Sequence, residues 1–187
     1  MAIVAQALGS GERTRQALLL AGAQLLQRGV PCTELTVSSL AQAAQVAPGA
    51  YYLHFDGLEA FQLALLRQLL DEVRAEVTQS MTATPPGKHR LQQAVTTYFD
   101  ASLQRPALRT LLRDLHFHAA ARDLLRTRAR GYTTLIRLEF ELLRWPQPAA
   151  AAHLYVAMTT EIVMAELEAG AAQPELRHVM FGYLDRH

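Results

Sequence analysis

The sequence predicts an all-α fold. Half of its 187 residues are hydrophobic, with alanine and leucine dominant and few β-branched residues, a composition that favours helix. Apolar residues recur at steps of three and four along most of the chain, which is the spacing of amphipathic helices. Proline and glycine interrupt this pattern. Together these observations predict about nine helices and no strand.

The first helix is expected to start at Glu12, after a flexible tail over residues 1–10. Gly29 should end it, because glycine is favoured just past the end of a helix. Thr36 is placed to cap the next helix, since its hydroxyl can accept a hydrogen bond from an unpaired N–H.

The stretch from Thr36 to Phe55 has the pattern of two short helices joined by a turn. The first helix has a one-sided apolar face, and three residues, 45–47, form the turn. The second helix begins at Pro48, because proline suits a first helical position whose N–H would be unpaired anyway. Such a pair is a helix-turn-helix unit, whose second helix can enter the DNA major groove.

Six further helices are expected after Gly57. A long helix over 58–81 precedes a loop that contains Pro85, Pro86 and Gly87. The remaining helices are predicted at 89–104, 107–117, 121–144, 149–169 and 174–186. We therefore expect an N-terminal three-helix DNA-binding domain over residues 1–57 and a larger helical domain over 58–187.

The helix-turn-helix stretch resembles the DNA-binding domain of the TetR/AcrR family of bacterial transcriptional regulators. The resemblance covers about the first third of the chain, and the rest matches in length and helical pattern. It implies a sequence-specific regulator, with a repressor as the hypothesis, that a small-molecule ligand releases from a palindromic operator. The residues that carry the resemblance are Thr36, Leu40, Ala41, Ala44, Val46, Gly49, Tyr52, His54 and Phe55.

The resemblance also implies which residues contact double-stranded DNA. The positions of Tyr52 and His54 would touch phosphates, which fixes register without reading sequence; alternatively, Tyr52 packs the small domain. The start of the second helix offers no Arg, Lys, Asn or Gln for bidentate base contacts, so we expect more shape readout than usual. The candidate DNA contacts are Arg13, Arg15, Thr36, Ser38, Ser39, Gln45, Ala47, Pro48, Gly49, Ala50, Tyr51, Tyr52 and His54.

The charge distribution supports an alternative function. Residues 1–60 hold three arginines against four carboxylates, whereas DNA-binding domains usually show a basic footprint. The family usually has glycine in place of Gln45 and a phosphate-binding lysine in place of Leu58. The alternative is a helical protein–protein interaction module that has lost DNA binding. Residues 105–130 hold seven arginines against two aspartates, which could attract an anionic ligand, lie near DNA or form a solvated face.

By resemblance, the C-terminal half holds a ligand pocket and a homodimer interface. A palindromic operator requires a two-fold dimer, and similar proteins pair through their last two helices. For the candidate residues of both the pocket and the dimer interface, the alternative is packing within the chain. The pocket candidates are Tyr98, Phe99, Phe117, His118, Tyr132, Leu135, Glu139, Tyr155 and Thr159. The dimer candidates are Leu154, Met158, Ile162, Leu167, Val179, Phe181 and Leu184.

Motifs for catalysis, metals and cofactors are lacking in the sequence. It has no Gly-rich phosphate loop and no nucleophile elbow. His116 and His118 are two residues apart, which points them to opposite sides of a helix. Cys32 is the only cysteine, so no intramolecular disulfide can form, which fits a reducing compartment. With no signal peptide and no apolar span, we expect a cytoplasmic protein that is not an enzyme, binds no cofactor and does not enter the membrane.

Overall fold

The computed structural model describes residues 9–185. Within that range the chain forms nine α-helices, a short 3-10 helix at Cys32–Glu34 and no strand, which confirms the all-α prediction. None of these helices is long and apolar enough to cross a membrane. The α-helices are α1 (Ser10–Gln27), α2 (Val37–Ala43), α3 (Pro48–Tyr51), α4 (Leu58–Met81), α5 (Lys88–Leu103), α6 (Pro106–Asp114), α7 (Ala119–Leu142), α8 (Pro148–Ala169) and α9 (Pro174–Asp185).

Two of the predictions concern the ends of the chain. Most of the expected tail, residues 1–8, and the predicted end of the last helix at residue 186 lie outside the described residues. Helix α1 already begins at Ser10, two residues before the predicted start. Thus at least the last residue of the expected tail is helical.

Contacts divide the chain into two compact units. Of the described residues, the first unit contains those up to Leu69 together with Pro106–His118, and the second contains Leu70–Arg105 and those from Ala119 onward. This division differs from the predicted domain boundary between residues 57 and 58. The reason is that α6 packs on α1 and on the 3-10 helix, and the early part of α4 also belongs to the first unit.

An aromatic cluster forms part of the core of the first unit. Phe55 and Phe61 meet edge to face with their ring centroids 5.1 Å apart, and Tyr51 lies 5.4 Å from Phe55 and 5.9 Å from Phe61. Helix α1 approaches this cluster closely at Gly22. A Cβ atom at Gly22 would lie 2.5 Å from Cζ of Phe61, so the packing of α1 on α4 requires glycine there.

The second unit is centred on the pairing of α7 with α8. Phe140 of α7 is fully buried, stacks on Trp145 at 4.8 Å and meets Tyr155 of α8 edge to face at 5.7 Å. The Tyr155 hydroxyl donates a hydrogen bond to the backbone carbonyl of Leu91 at 3.1 Å. That bond ties α8 to α5.

Candidate nucleic-acid interface and ligand cavity

Thr36 caps α2, as the sequence predicts. The backbone N–H of Ser39 donates to Oγ1 of Thr36, and the N–H of Thr36 donates to Oγ of Ser39, both at 3.1 Å. The Ser39 hydroxyl also donates to the Thr36 carbonyl at 2.9 Å. This reciprocal capping box satisfies N–H groups that a helix start leaves unpaired. It also engages the hydroxyls of Thr36 and Ser39, whereas Ser38 is exposed and outside the box.

The turn between α2 and α3 is tight and left-handed at one residue. Gln45 has a φ of 56°, and the N–H of Val46 reaches back to the carbonyl of Ala41 at 3.0 Å. A non-glycine residue in this conformation costs on the order of 1 kcal/mol. Ala47 then precedes Pro48 at the first position of α3. Helix α3 is a single turn, and residues 52–54, which were predicted to continue it, form a hydrogen-bonded turn that leads to Phe55.

The burial of Tyr51 contradicts its predicted role as a DNA contact at a base edge. Its side chain is fully buried, and its hydroxyl donates to the carbonyl of Gly57 at 3.1 Å. Burial raises the pKa of Tyr51 to about 12, with a smaller contribution from Tyr52. Tyr51 therefore fixes α3 to the core. Because α3 is only one turn long, its sequence does not show which of two consecutive tyrosines faces inward.

An exposed surface surrounds α3, and we call Ala47, Pro48, Gly49, Tyr52 and Leu53 the α3 surface. The first three are exposed, Tyr52 is 65% exposed and Leu53 is 81% exposed. Leu53 is a large apolar side chain left in solvent that the sequence reasoning missed, although it sits between two residues that were predicted. Ala50, the fourth predicted residue of this segment, is only partly exposed.

The start of α1 lies beside the end of the helix-turn-helix unit. A Cβ atom at Gly11 would be 3.5 Å from Cε1 of His54. The Arg15 guanidinium lies 5.5 Å from the Phe55 ring centroid and 3.8 Å from the carboxylate of Glu12. Arg15 is therefore engaged within the unit, while Arg13 is exposed and has no ion-pair partner within residues 9–185.

The second unit contains a cavity of about 310 Å³. Helices α4, α5, α7 and α8 each contribute side chains at three- and four-residue steps, so one face of each helix lines it. This volume lies in the lower range of small-molecule sites. The cavity brings together five of the nine predicted pocket residues, which are Tyr98, Tyr132, Leu135, Tyr155 and Thr159.

The other four predicted pocket residues lie elsewhere, so these predictions were wrong. Phe99 is fully buried with the Arg177 guanidinium 4.9 Å from its ring centroid. Glu139 forms an ion pair with Arg90. The remaining two, Phe117 and His118, belong to the first unit, where Phe117 is 81% exposed and His118 lies 2.9 Å from Glu59. Adjacent residues on a helix diverge by about 100°, so Phe99 cannot face the same way as Tyr98.

The polar groups of the cavity are mostly hydrogen-bond donors. Among the described residues, Arg74 is the only cationic side chain that lines it, and no carboxylate does. Burial, followed by the nearby Tyr132, raises the pKa of Tyr98, so its phenol stays neutral. The hydroxyls of Thr159 and Thr160 already donate to backbone carbonyls one turn earlier, both at 2.8 Å.

The predicted dimer residues fall into two groups. Ile162, Leu167 and Leu184 are buried within the chain, so the structure contradicts them as interface residues. They lie on the inward faces of α8 and α9. Leu154 is 54% exposed and Val179 is 69% exposed, while Met158 and Phe181 are partly exposed; these four remain candidates.

The arginine-rich segment is partly neutralised by ion pairs. Arg105 pairs with Glu72 and Glu76, and Arg128 lies 2.6 Å from Asp71. Within residues 9–185, no group of three or more His, Cys, Asp and Glu side chains is placed to hold a metal ion.

Comparison with known proteins identifies one curated relative. No protein-family model matches the chain. The HTH-type transcriptional repressor KstR2 of Rhodococcus jostii is 32% identical over 92 residues, which are 49% of this chain and 44% of the relative. The match therefore spans less than half of the length of this relative.

Solved structures resemble the chain over almost its whole length. A tetR-family transcriptional regulator from Streptomyces coelicolor has a TM-score of 0.72 at 17% identity, covering 96% of this chain and 80% of that one. The fatty acid degradation regulator FadR from Bacillus halodurans has a TM-score of 0.71 at 16% identity, with coverages of 94% and 96%. Reduced NemR from E. coli has a TM-score of 0.68 at 21% identity, with coverages of 92% and 95%. At these identities the similarity shows a common fold.

Proposed function

This chain has the fold of the TetR-family transcriptional regulators, as its helix-turn-helix stretch predicted, and we propose that it is a DNA-binding transcriptional regulator. The observation that carries the proposal is the α3 surface. A capped α2 and a tight turn at Gln45 hold a short helix whose outer residues are exposed. Such a helix can enter the major groove.

In the proposed complex, a homodimer places two α3 surfaces in successive major grooves, about one helical turn apart. Tyr52, with its exposed phenol, and Arg13 donate to phosphates and set the register. Small side chains at Ala47 and Gly49 allow close approach of the backbone to the DNA. Base-edge hydrogen bonds are few, so DNA shape carries much of the specificity.

The cavity of the second unit is the proposed site of a small-molecule effector. An effector acts only if it binds one conformational state more tightly than the other. For a repressor, the effector favours the state that does not bind DNA. Linkage then requires that effector and operator weaken each other's affinity by the same factor.

Selection of bound duplexes from a randomised DNA pool at about 0.1 M salt tests DNA recognition. Enrichment of a palindrome by the purified protein supports a dimeric, sequence-specific regulator. The Gly49→Glu variant should enrich nothing, because a carboxylate on the α3 surface would repel phosphates. A Cβ atom meets open space at Gly49, so the variant should fold normally.

Gly131→Glu is the matched control, since it adds the same carboxylate at a helical glycine with open space around its Cβ. It lies on α7 of the second unit and should enrich the same palindrome as the original chain. Equal enrichment by the Gly49→Glu variant would show that the α3 surface does not face DNA.

A second candidate function is a helical protein–protein interaction module. The observation in its favour is the low positive charge of the helix-turn-helix unit, where Arg15 lies near Glu12 and over Phe55. If no duplex is enriched even at about 0.02 M salt, where electrostatic binding is strongest, the selection is repeated with candidate co-ligands. Failure there too would favour this candidate.

A further inference from the structure

From the polar groups of the cavity, we infer that its ligand is an apolar monoanion whose carboxylate is bound by Arg74 and by the phenols of Tyr98 and Tyr132. The inference deepens the proposed function, because it names the chemical class of the effector. Its test measures binding directly and without DNA, so that it can fail or succeed independently of DNA recognition.

The shape and lining of the cavity define the apolar part of the ligand. Aliphatic side chains from four helices dominate the wall, including Val77, Leu91, Val95 and Ile136. A volume of about 310 Å³ holds roughly ten non-hydrogen atoms if each takes the share of a liquid water molecule, about 30 Å³. A medium-length hydrocarbon chain or a small ring system matches both the aliphatic lining and the volume of the cavity.

The free donors lie near one end of the cavity. Asp71 on α4 forms an ion pair with Arg128 on α7 at 2.6 Å. Arg74 follows Asp71 by about one helical turn, and Tyr132 follows Arg128 by about one turn, so this ion pair joins the segments that carry the two donors. Tyr98 on α5 lies close enough to Arg128 and Tyr132 for both to influence its pKa. The three donors therefore come from neighbouring segments of three helices, and Arg74, which is exposed, lines the cavity where it meets solvent.

These donors have no competing partners in the part of the chain that the structure describes. Arg74 forms no ion pair within residues 9–185, and the phenols of Tyr98 and Tyr132 form no hydrogen bond there. By contrast, the third tyrosine of the cavity, Tyr155, already donates to the Leu91 carbonyl. Three unengaged donors, one formal positive charge and no carboxylate favour an anion and disfavour a cation.

Calorimetric titration with three ten-carbon probes below their micellar concentrations tests the inference. The probes are decanoate, decanol and decylammonium, which share an alkyl chain and differ in head-group charge. Decanoate should bind about 10-fold or more tightly than decanol, as expected for a charge-assisted hydrogen bond. The cation should bind most weakly. Equal binding of decanoate and decanol, preference for the cation, or no binding of any probe would overturn the inference.

The Arg74→Gln variant isolates the contribution of the positive charge. It should lose about 10-fold in decanoate affinity and little in decanol affinity, so that the preference for the anion disappears. Tyr98→Phe should lower decanoate affinity by a smaller factor. Arg130→Gln is the matched control, because Arg130 is exposed on α7 and does not line the cavity. An unchanged preference in Arg74→Gln, or the same loss in Arg130→Gln, would contradict the inference.

DNA binding is then measured separately with the operator from the duplex selection. If decanoate binds with the predicted dependence on Arg74 and no operator is ever selected, the ligand inference stands and the regulatory function fails. If an operator is selected and decanoate does not bind, the regulatory function stands and the ligand inference fails.

Discussion

The guanidinium of Arg177 donates two hydrogen bonds to the carboxylate of Glu166, from Nε to Oε1 at 2.5 Å and from Nη2 to Oε2 at 2.8 Å. Glu166 is fully buried, and the backbone N–H of Gln173 also donates to it at 2.9 Å. These bonds to Glu166, more than any other interaction, raise the pKa of Arg177. The pair joins α8 to α9 and accounts for a charge in the interior of the second unit.

Breaking this pair from one side should destabilise the protein strongly. In Arg177→Met the Glu166 carboxylate stays buried without its cation, which costs about 3–5 kcal/mol. Urea unfolding measures this loss. The double variant Glu166→Leu/Arg177→Met should recover much of it, because neither charge remains. A double variant that loses the sum of the two single effects would show that the residues act independently.

Gly22 should tolerate no larger residue. Its missing Cβ leaves room for Phe61, whose Cζ would otherwise be 2.5 Å away, so Gly22→Ala should cost about 1–3 kcal/mol by overpacking. Gly131→Ala is the control, since its Cβ meets open space and alanine favours helix by about 0.5–1 kcal/mol. The midpoint of thermal unfolding should therefore fall in Gly22→Ala and rise in Gly131→Ala. A stabilised Gly22→Ala variant would mean that α1 and α4 can separate without loss.

Most of the helix pattern could be predicted because its signals are local. Helix α4 spans the predicted residues 58–81, since Gly57 and the prolines after residue 84 act on their immediate neighbours. The left-handed backbone at Gln45 was not predicted, although it lies where similar proteins usually have glycine, which adopts this conformation without strain. The 3-10 helix at Cys32–Glu34 was missed, because nothing in three residues distinguishes it from a connector.

The orientation of side chains was harder to predict than the helices that carry them. The apolar pattern of α8 cannot show whether Ile162 or Leu154 faces the chain's own core, because both are large and aliphatic; packing buries the first and exposes the second. Arg74 was missed as a cavity residue for the opposite reason. A single arginine on a long helix has the pattern of a solvated residue, and Arg74 is exposed; its place in the cavity lining depends on residues of three other helices that are distant in sequence.

Cys32 should make stability depend on alkaline pH. Burial, then Asp114, raises the pKa of its thiol from 9.0 to about 11, so folding favours the protonated form. The associated stability is complete below pH 9.0 and is lost as pH rises toward about 11. The excess unfolding free energy of the original chain over Cys32→Ala should therefore shrink between these values. A constant or growing difference in urea unfolding would refute this.

Tyr52 should contribute to DNA affinity without contributing to sequence preference. Its exposed phenol can donate one hydrogen bond to a phosphate, which carries no base information. Tyr52→Phe should weaken binding to operator and to unrelated duplex by the same factor in fluorescence anisotropy titrations. A loss confined to the operator would instead place Tyr52 against a base edge.

The salt dependence of DNA binding should be shallow. Few cations lie at the helix-turn-helix unit, and Arg15 is already engaged there, so few counterions are released on binding. We expect a log–log slope shallower than about −6 per dimer. Arg13→Gln should reduce it by about 2, because each dimer loses two phosphate contacts at roughly 0.9 per contact. A steeper slope, or one that does not change in Arg13→Gln, would mean that cations outside this unit neutralise the DNA.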